Sequence, residues 1–273
     1  LEKKFYFPQT PSKIDYIFVP AGSIKRTITA LNFLNNSNCH AFEIPDSLDD
    51  LQYEELKKNI PNFKKKDAEL LNDKFYDEKN QHKLKVYINE LTKENYQNFI
   101  IQNPILNELV KVFKNPRINN FLLDKLYFKI LKSRIYDPKN LIKFLLRKNR
   151  IAEKKIDSLI HKCLYNDIYT TFEIAYMFNG AQSYPHTDGM KKILSLLLYF
   201  PEDSISEEQS KKLGTTFYDS EEFNLTGLGK NKINTYKDSE NFKKRNKISG
   251  TFPFKKKFLY GFIKSHKSWH SVE

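Results

Sequence analysis

At residue 171 the hydrophobic period of the chain changes, and that change limits the fold more than any other feature. Before it, apolar residues recur at helical spacing: Ile118, Phe121, Leu122, Leu126 and Ile130 make one stripe, and Ile156, Leu159, Ile160, Cys163 and Leu164 another. After it, Phe172, Ile174, Tyr176 and Phe178 alternate with Thr171, Glu173, Ala175 and Met177, the period of a strand, and Asn179-Gly180 supplies a turn. Ile193 to Phe200 is then an unbroken apolar run closed by Pro201, which predicts a strand buried on both faces. Gly214 to Tyr218 and Lys257 to Ile263 are further strand segments. Helices followed by strands, without alternation, argue against a doubly wound sheet and for an α+β fold in which helices pack on an antiparallel β sandwich.

Residues 1–170 are therefore expected to be a mostly helical support and residues 171–273 the core. No linker rich in Pro, Gly or Ser divides them, so the two make one integrated domain. Within the support, Tyr16 to Val19 and Ala41 to Ile44 read as extended, and Ser47 caps a helix carrying Leu51, Leu56 and Ile60. Residues 65–167 read as mostly helical. Residues 219–252 are polar and read as a mobile excursion over the mouth of the core. If its basic half, Lys243, Lys244, Arg245 and Lys247, lined the entrance, a substrate would carry negative charge; the simpler reading is a solvated run.

Composition removes several function classes. With 40% hydrophobic and 14% aromatic residues among 273, the chain can bury a sizeable core. The net charge of +13 invites a nucleic-acid partner, but only six of the 46 basic residues are Arg, the residue suited to bidentate phosphate and base recognition. Cys39 and Cys163 are the only cysteines, too few for a disulfide framework or a cysteine zinc site, and they fit a reducing, cytoplasmic setting. No run approaches the ~18 apolar residues of a membrane span. The chain begins at Leu1 rather than Met, so a removed leader stays open.

The chemistry concentrates in Ser183-Tyr184-Pro185-His186-Thr187-Asp188-Gly189 and Ser268-Trp269-His270-Ser271-Val272. In an extended strand His186 and Asp188 project an imidazole and a carboxylate onto one face, with Thr187 on the other, and His270 would close a metal site of two His and one carboxylate. With six His and 33 acidic residues, a His-x-Asp/Glu pair is expected by chance about 0.7 times, so context has to decide. Trp269 alternates away from His270 and is expected to pack. His266 is expected at the surface or behind the ligands. His40, His82 and His161 have no acidic companion two residues on.

The order of strand, turn, His186-Thr187-Asp188, apolar strand ending in Tyr199, Gly214-Thr215-Thr216, apolar strand and His270 resembles the double-stranded β-helix (jelly-roll, cupin-like) core of the 2-oxoglutarate- and Fe(II)-dependent dioxygenases, in their prolyl-hydroxylase-like branch. The likeness covers about residues 171–273, with a weaker echo over Phe42 to Phe63. It implies an oxidoreductase, a hydroxylase using molecular oxygen on a small molecule or peptide, with Fe(II) on His186, Asp188 and His270 and with 2-oxoglutarate as co-substrate. It implies that Tyr199 hydrogen-bonds the distal carboxylate of 2-oxoglutarate, with Ser195 and Leu197 on its face. The family also carries an Arg or Lys beyond the second His, whereas no basic residue follows Lys267. The expectation is then a chain clipped before its closing strand, or a co-substrate held differently; Lys191 and Lys192 are given no role. Two alternatives stay open: a catalytically inactive β-barrel binding protein, and a basic nucleic-acid-binding module.

Overall fold

A computed structural model describes residues 32–33, 40–45, 48–59, 76–77, 83–87, 123–134, 141–142, 144–145, 173–177, 183–189, 192–222 and 236–272. The architecture is mixed α+β, and all the strand pairs are antiparallel. In chain order come β1 (Asn32–Phe33), β2 (Phe42–Ile44), α1 (Asp50–Asn59), β3 (Tyr76–Asp77), β4 (Lys83–Tyr87), α2 (Tyr127–Arg134), β5 (Glu173–Met177), β6 (Ser183–His186) and β7 (Leu194–Leu198). They continue with α3 (Glu207–Lys212), β8 (Thr215–Asp219), α4 (Tyr236–Arg245), β9 (Lys247–Phe252), β10 (Leu259–Ile263) and β11 (His270–Val272). One four-stranded sheet has the order β1-β2-β10-β7, a second β6-β11-β8-β9, and β3-β4-β5 form a smaller third.

Side-chain alternation explains how the two larger sheets are covered. Along β10, Tyr260 and Phe262 join Ala41, Phe217 and Phe252, with Leu197 and Tyr199 packed against them. Since Phe217 and Phe252 come from the second sheet, this aromatic layer lies between the sheets, the arrangement of a β-sandwich. The other β10 face presents Leu259 and Ile263, which pack with Leu194, Leu196 and Leu198 of β7 under Leu123, Leu126, Ile130 and Phe144. Helix α2 thus covers the outer face of the first sheet. On the outer face of the second sheet, Tyr218 and Trp269 meet Phe242 of α4. The pairing that builds this sheet puts His270 opposite His186 on one side and opposite Phe217 on the other.

Several sequence expectations need correction. Within residues 65–167, β3 and β4 are strands, not helix. Lys83-Leu84-Lys85-Val86-Tyr87 alternates with a period of two, and its five residues pair with all five of β5. The β7 strand is two residues shorter at its C-terminal end and one shorter at its start than the apolar run, and all five of its residues are half-buried. Residues 219–252 are not simply an excursion over a mouth, because 236–245 form a helix and 247–252 a strand. Lys243 pairs with Glu240 and Arg245 with Glu222, on a helix behind the second sheet, so these cations do not line its inner face. His266 is buried, so of its two expected places the surface is excluded. The expected extended segment at Tyr16 to Val19, the stripe from Ile156 to Leu164, both cysteines, His82 and His161 lie outside the described residues. No helix among the described residues is long and apolar enough to cross a membrane.

Gly261 is required by close approach. It stands opposite Phe42 in the β2–β10 register, and a Cβ there would overlap the Phe42 ring. Gly189 meets nothing within 4 Å of an added Cβ. Gly261→Ala is expected to lower stability by about 1–3 kcal/mol, the usual cost of overpacking, while Gly189→Ala leaves it within ~0.5 kcal/mol. Urea denaturation of both variants measures this, and equal midpoints would contradict the packing.

Candidate metal centre

Three elements bring the centre together. His186 is the last residue of β6, Asp188 follows two residues later beyond the strand end, and His270 opens β11. One ligand atom from each of the three lies within 4.8 Å of the other two. The two imidazole rings are 4.3 Å apart between centroids and inclined at 49°. His270 is buried, whereas His186 and Asp188 are half-buried, so the centre is reached from their side. The expected ligands His186, Asp188 and His270 are thus found in one place, and this His-Asp-His group could hold a metal ion.

The rings are oriented by the same local device twice. Nδ1 of His186 lies 2.8 Å from the carbonyl oxygen of Tyr184, and Nδ1 of His270 lies 2.9 Å from that of Ser268. A carbonyl oxygen only accepts, so each Nδ1 carries the proton and each Nε2 is left with its lone pair as the ligand atom. The Ser268 carbonyl is itself held by a tight turn. Ser265 donates its backbone N–H to Ser268 Oγ at 3.0 Å, and Ser268 Oγ donates to the Ser265 carbonyl at 2.9 Å.

The carboxylate is clamped from both sides. Lys192 Nζ donates to Asp188 Oδ1 at 2.9 Å, and Ser195 Oγ of β7 donates to Oδ2 at 2.8 Å. Burial alone would raise the Asp188 pKa, but His270 in its protonated low-pH form, the Lys192 charge and the two hydrogen bonds overcome it. The carboxyl therefore ends well below the ordinary carboxylate range and is ionised at neutral pH. For His270 the balance runs the other way. Burial, chiefly, depresses its pKa; the Asp188 charge and the Ser268 carbonyl oppose this, and the Lys192 and Lys264 charges add to it. His270 is thereby kept neutral, the form in which an imidazole binds metal.

The surroundings are aromatic. Phe262 is 4.7 Å and Phe217 is 6.1 Å from the His270 ring between centroids. Ser195, Leu197 and Tyr199 share a face, as their spacing implied: Ser195 reaches Asp188, while Leu197 and Tyr199 join the aromatic layer between the sheets. Tyr199 Oη lies 2.5 Å from Thr215 Oγ1. Burial pushes its pKa above the ordinary phenol range although Thr215 pulls the other way, so it stays protonated.

Sequence reasoning left out Lys192, Ser195 as a partner of Asp188, and Lys264. Lys192 lies before β7, where strand alternation does not say which way a side chain points. Lys264 is buried next to β10 and donates to the Ser265 carbonyl at 2.7 Å. Its own N–H donates to the Ile193 carbonyl, which extends the β10–β7 ladder by one residue and puts Lys264 on the Phe262 side. The period-two pattern of residues 260, 262 and 264 was the available signal. No family model, curated protein or solved structure matches this chain.

Ser195→Ala removes the donor on Asp188 Oδ2 and is expected to weaken Mn(II) or Co(II) binding about 10- to 100-fold, as loss of a ligand's hydrogen-bond partner does; calorimetric titration with unchanged affinity would contradict the role. A second expectation concerns pH. Since the folded pKa of His270 is depressed below 6.5, the unfolded chain takes up its proton first as pH falls. Stability of the metal-free protein should therefore drop as pH falls below about 6.5 toward the folded pKa. His270→Gln should flatten that part of the profile in urea titrations, and an unaltered slope would refute it.

Proposed function

We propose that this protein is a 2-oxoglutarate-dependent Fe(II) dioxygenase that hydroxylates a small-molecule or peptide substrate. The observation that carries the reading is the convergence of one carboxylate and two imidazoles, with ligand atoms within 4.8 Å of one another. Two His and one carboxylate on one side of a first-row metal leave its other positions open, the arrangement of non-haem Fe(II) oxygenases. The donor set fits: both His present Nε2, and Asp188 is ionised. The chain path supports a double-stranded β-helix, since β6 lies in the second sheet, β7 in the first, β8 and β9 in the second, β10 in the first and β11 in the second.

Each residue has a definable task. His186, Asp188 and His270 hold the metal, and Asp188 neutralises half of its charge. Ser195 and Lys192 fix the carboxylate plane. Fe(II) with 2-oxoglutarate supplies the oxidation, in which the co-substrate loses carbon dioxide to become succinate as oxygen is consumed. Phe217 and Phe262 keep the inner side of the centre dry, which strengthens every electrostatic contact there. Tyr199, protonated and buried, is a hydrogen-bond donor for the co-substrate carboxylate, shared with Thr215.

Anaerobic addition of Fe(II) and 2-oxoglutarate should produce a visible charge-transfer band, and the loaded protein should release succinate once given oxygen and substrate. Asp188→Ala should abolish both while leaving the melting temperature of the metal-free protein within a few degrees, because a half-buried carboxylate beside solvent opens no apolar cavity. A wild-type protein that binds Fe(II) without forming the band would overturn the reading.

A further inference from the structure

The aromatic layer between the sheets contains one polar group that is out of place there. Tyr260 is fully buried, and its hydroxyl has no hydrogen-bond partner among the described residues. Such a group is costly, because folding strips water from it and gives nothing back. Its ring is stacked on Phe252, at 4.5 Å and 24°, and on Phe258, at 5.7 Å and 14°. Phenylalanine would make the same stacks without the cost.

The position of Tyr260 relates it to the metal centre. In the β10–β7 register Phe262 stands opposite Ser195, the partner of Asp188, and Tyr260 stands opposite Leu197, two residues deeper. That step is about 7 Å along a strand. At this depth lies the Tyr199 ring, 5.4 Å from that of Tyr260, with the Tyr199 hydroxyl on Thr215. The Tyr199 and Tyr260 rings therefore lie side by side in the layer between the sheets, on the face of β10 that carries Phe262 next to His270. Tyr260 cannot ionise to relieve its isolation. Burial raises its pKa, and the charge of Glu43, opposite it on β2, raises it further. It remains a donor without an acceptor among the described residues.

We propose that Tyr260 is a ligand-contacting, specificity-determining residue whose phenol donates to an oxygen at the end of the metal-bound ligand remote from the metal. On the function proposed above, on which this rests, that oxygen belongs to the distal carboxylate of 2-oxoglutarate, and Tyr260 works beside Tyr199. The hydroxyl thus costs stability in the ligand-free protein and is satisfied only when the ligand is bound.

The test is Tyr260→Phe in the full chain, with three measurements. Melting of the metal-free protein should rise or hold, because a buried unsatisfied donor is removed. Mn(II) titration without a 2-oxo acid should match the wild type. Anaerobic calorimetry on the Mn(II)-loaded protein should show 2-oxoglutarate binding weakened about tenfold or more, while 2-oxobutyrate, which keeps the chelating end and lacks the distal carboxylate, binds as it does to the wild type. Unchanged 2-oxoglutarate affinity would overturn the proposal and leave a merely orphaned hydroxyl. An equal loss for both acids would also overturn it, as a general disturbance of the pocket. Failure of the wild type to bind Mn(II) would be a different result, overturning the metal reading itself and this inference with it.

Discussion

The centre depends on the pairing of β11 from both sides. This strand has only three residues, yet it lies inside its sheet, with β6 along one edge and β8 along the other. The register places His270 directly opposite His186, so two ligands meet as a cross-strand pair and not through long side-chain reach. A slip of one residue would turn His270 to the outer face and Trp269 inward, and the metal site would vanish without any ligand being changed.

What holds the register is packing on both faces. Inside, Phe217 sits beside His270 in the pairing; outside, Tyr218 and Trp269 are clamped by Phe242 of α4. Trp269 also donates its indole N–H to the Glu222 carbonyl at 2.9 Å, and the Tyr218 and Ser271 hydroxyls pair at 2.8 Å. Ordering a three-residue strand costs about 1–2 kcal/mol per residue in backbone entropy. Burial of Phe217 and Phe242 contributes about 1.5–3 kcal/mol each, enough to offset most of that. Helix α4 is therefore a support for the centre from behind.

The electrostatics follow from partial burial. Asp188 is sheltered enough that burial alone would favour its neutral form, and only specific partners keep it charged. One of these, Lys192, has a side chain half exposed to solvent, while that of Asp188 is 11% exposed. The ion pair thus bridges the dry interior and the water outside, and the anionic ligand stays available in a place where an unpaired charge would not persist. His270 is at the dry end, where burial makes it a neutral donor.

Much of this was legible in the chain itself, because strand period is a local property. The alternation at 173–177, the apolar run around 194–198 and the segments near 215 and 259 marked strands that the structure contains, and the same alternation separated Trp269 from His270. The helix expected near residue 50 was equally local, since the acid of its first turn, Asp50, opens it; Ser47, the expected cap, lies outside the described residues. Missed features were those set by partners distant in sequence. The strand Lys83–Tyr87 is settled by β5, ninety residues later in the chain, and the helix at 236–245 by an aromatic pair that only sheet formation brings together. The sequence by itself determined which residues are able to bind a metal and, for His186 and His270, that each stands in a strand. Only the tertiary structure decided that they meet, that Ser195 and Lys192 clamp the carboxylate, and that Tyr260 is buried without a partner, because register between strands and the loss of water are properties of the assembled sheets and not of any segment.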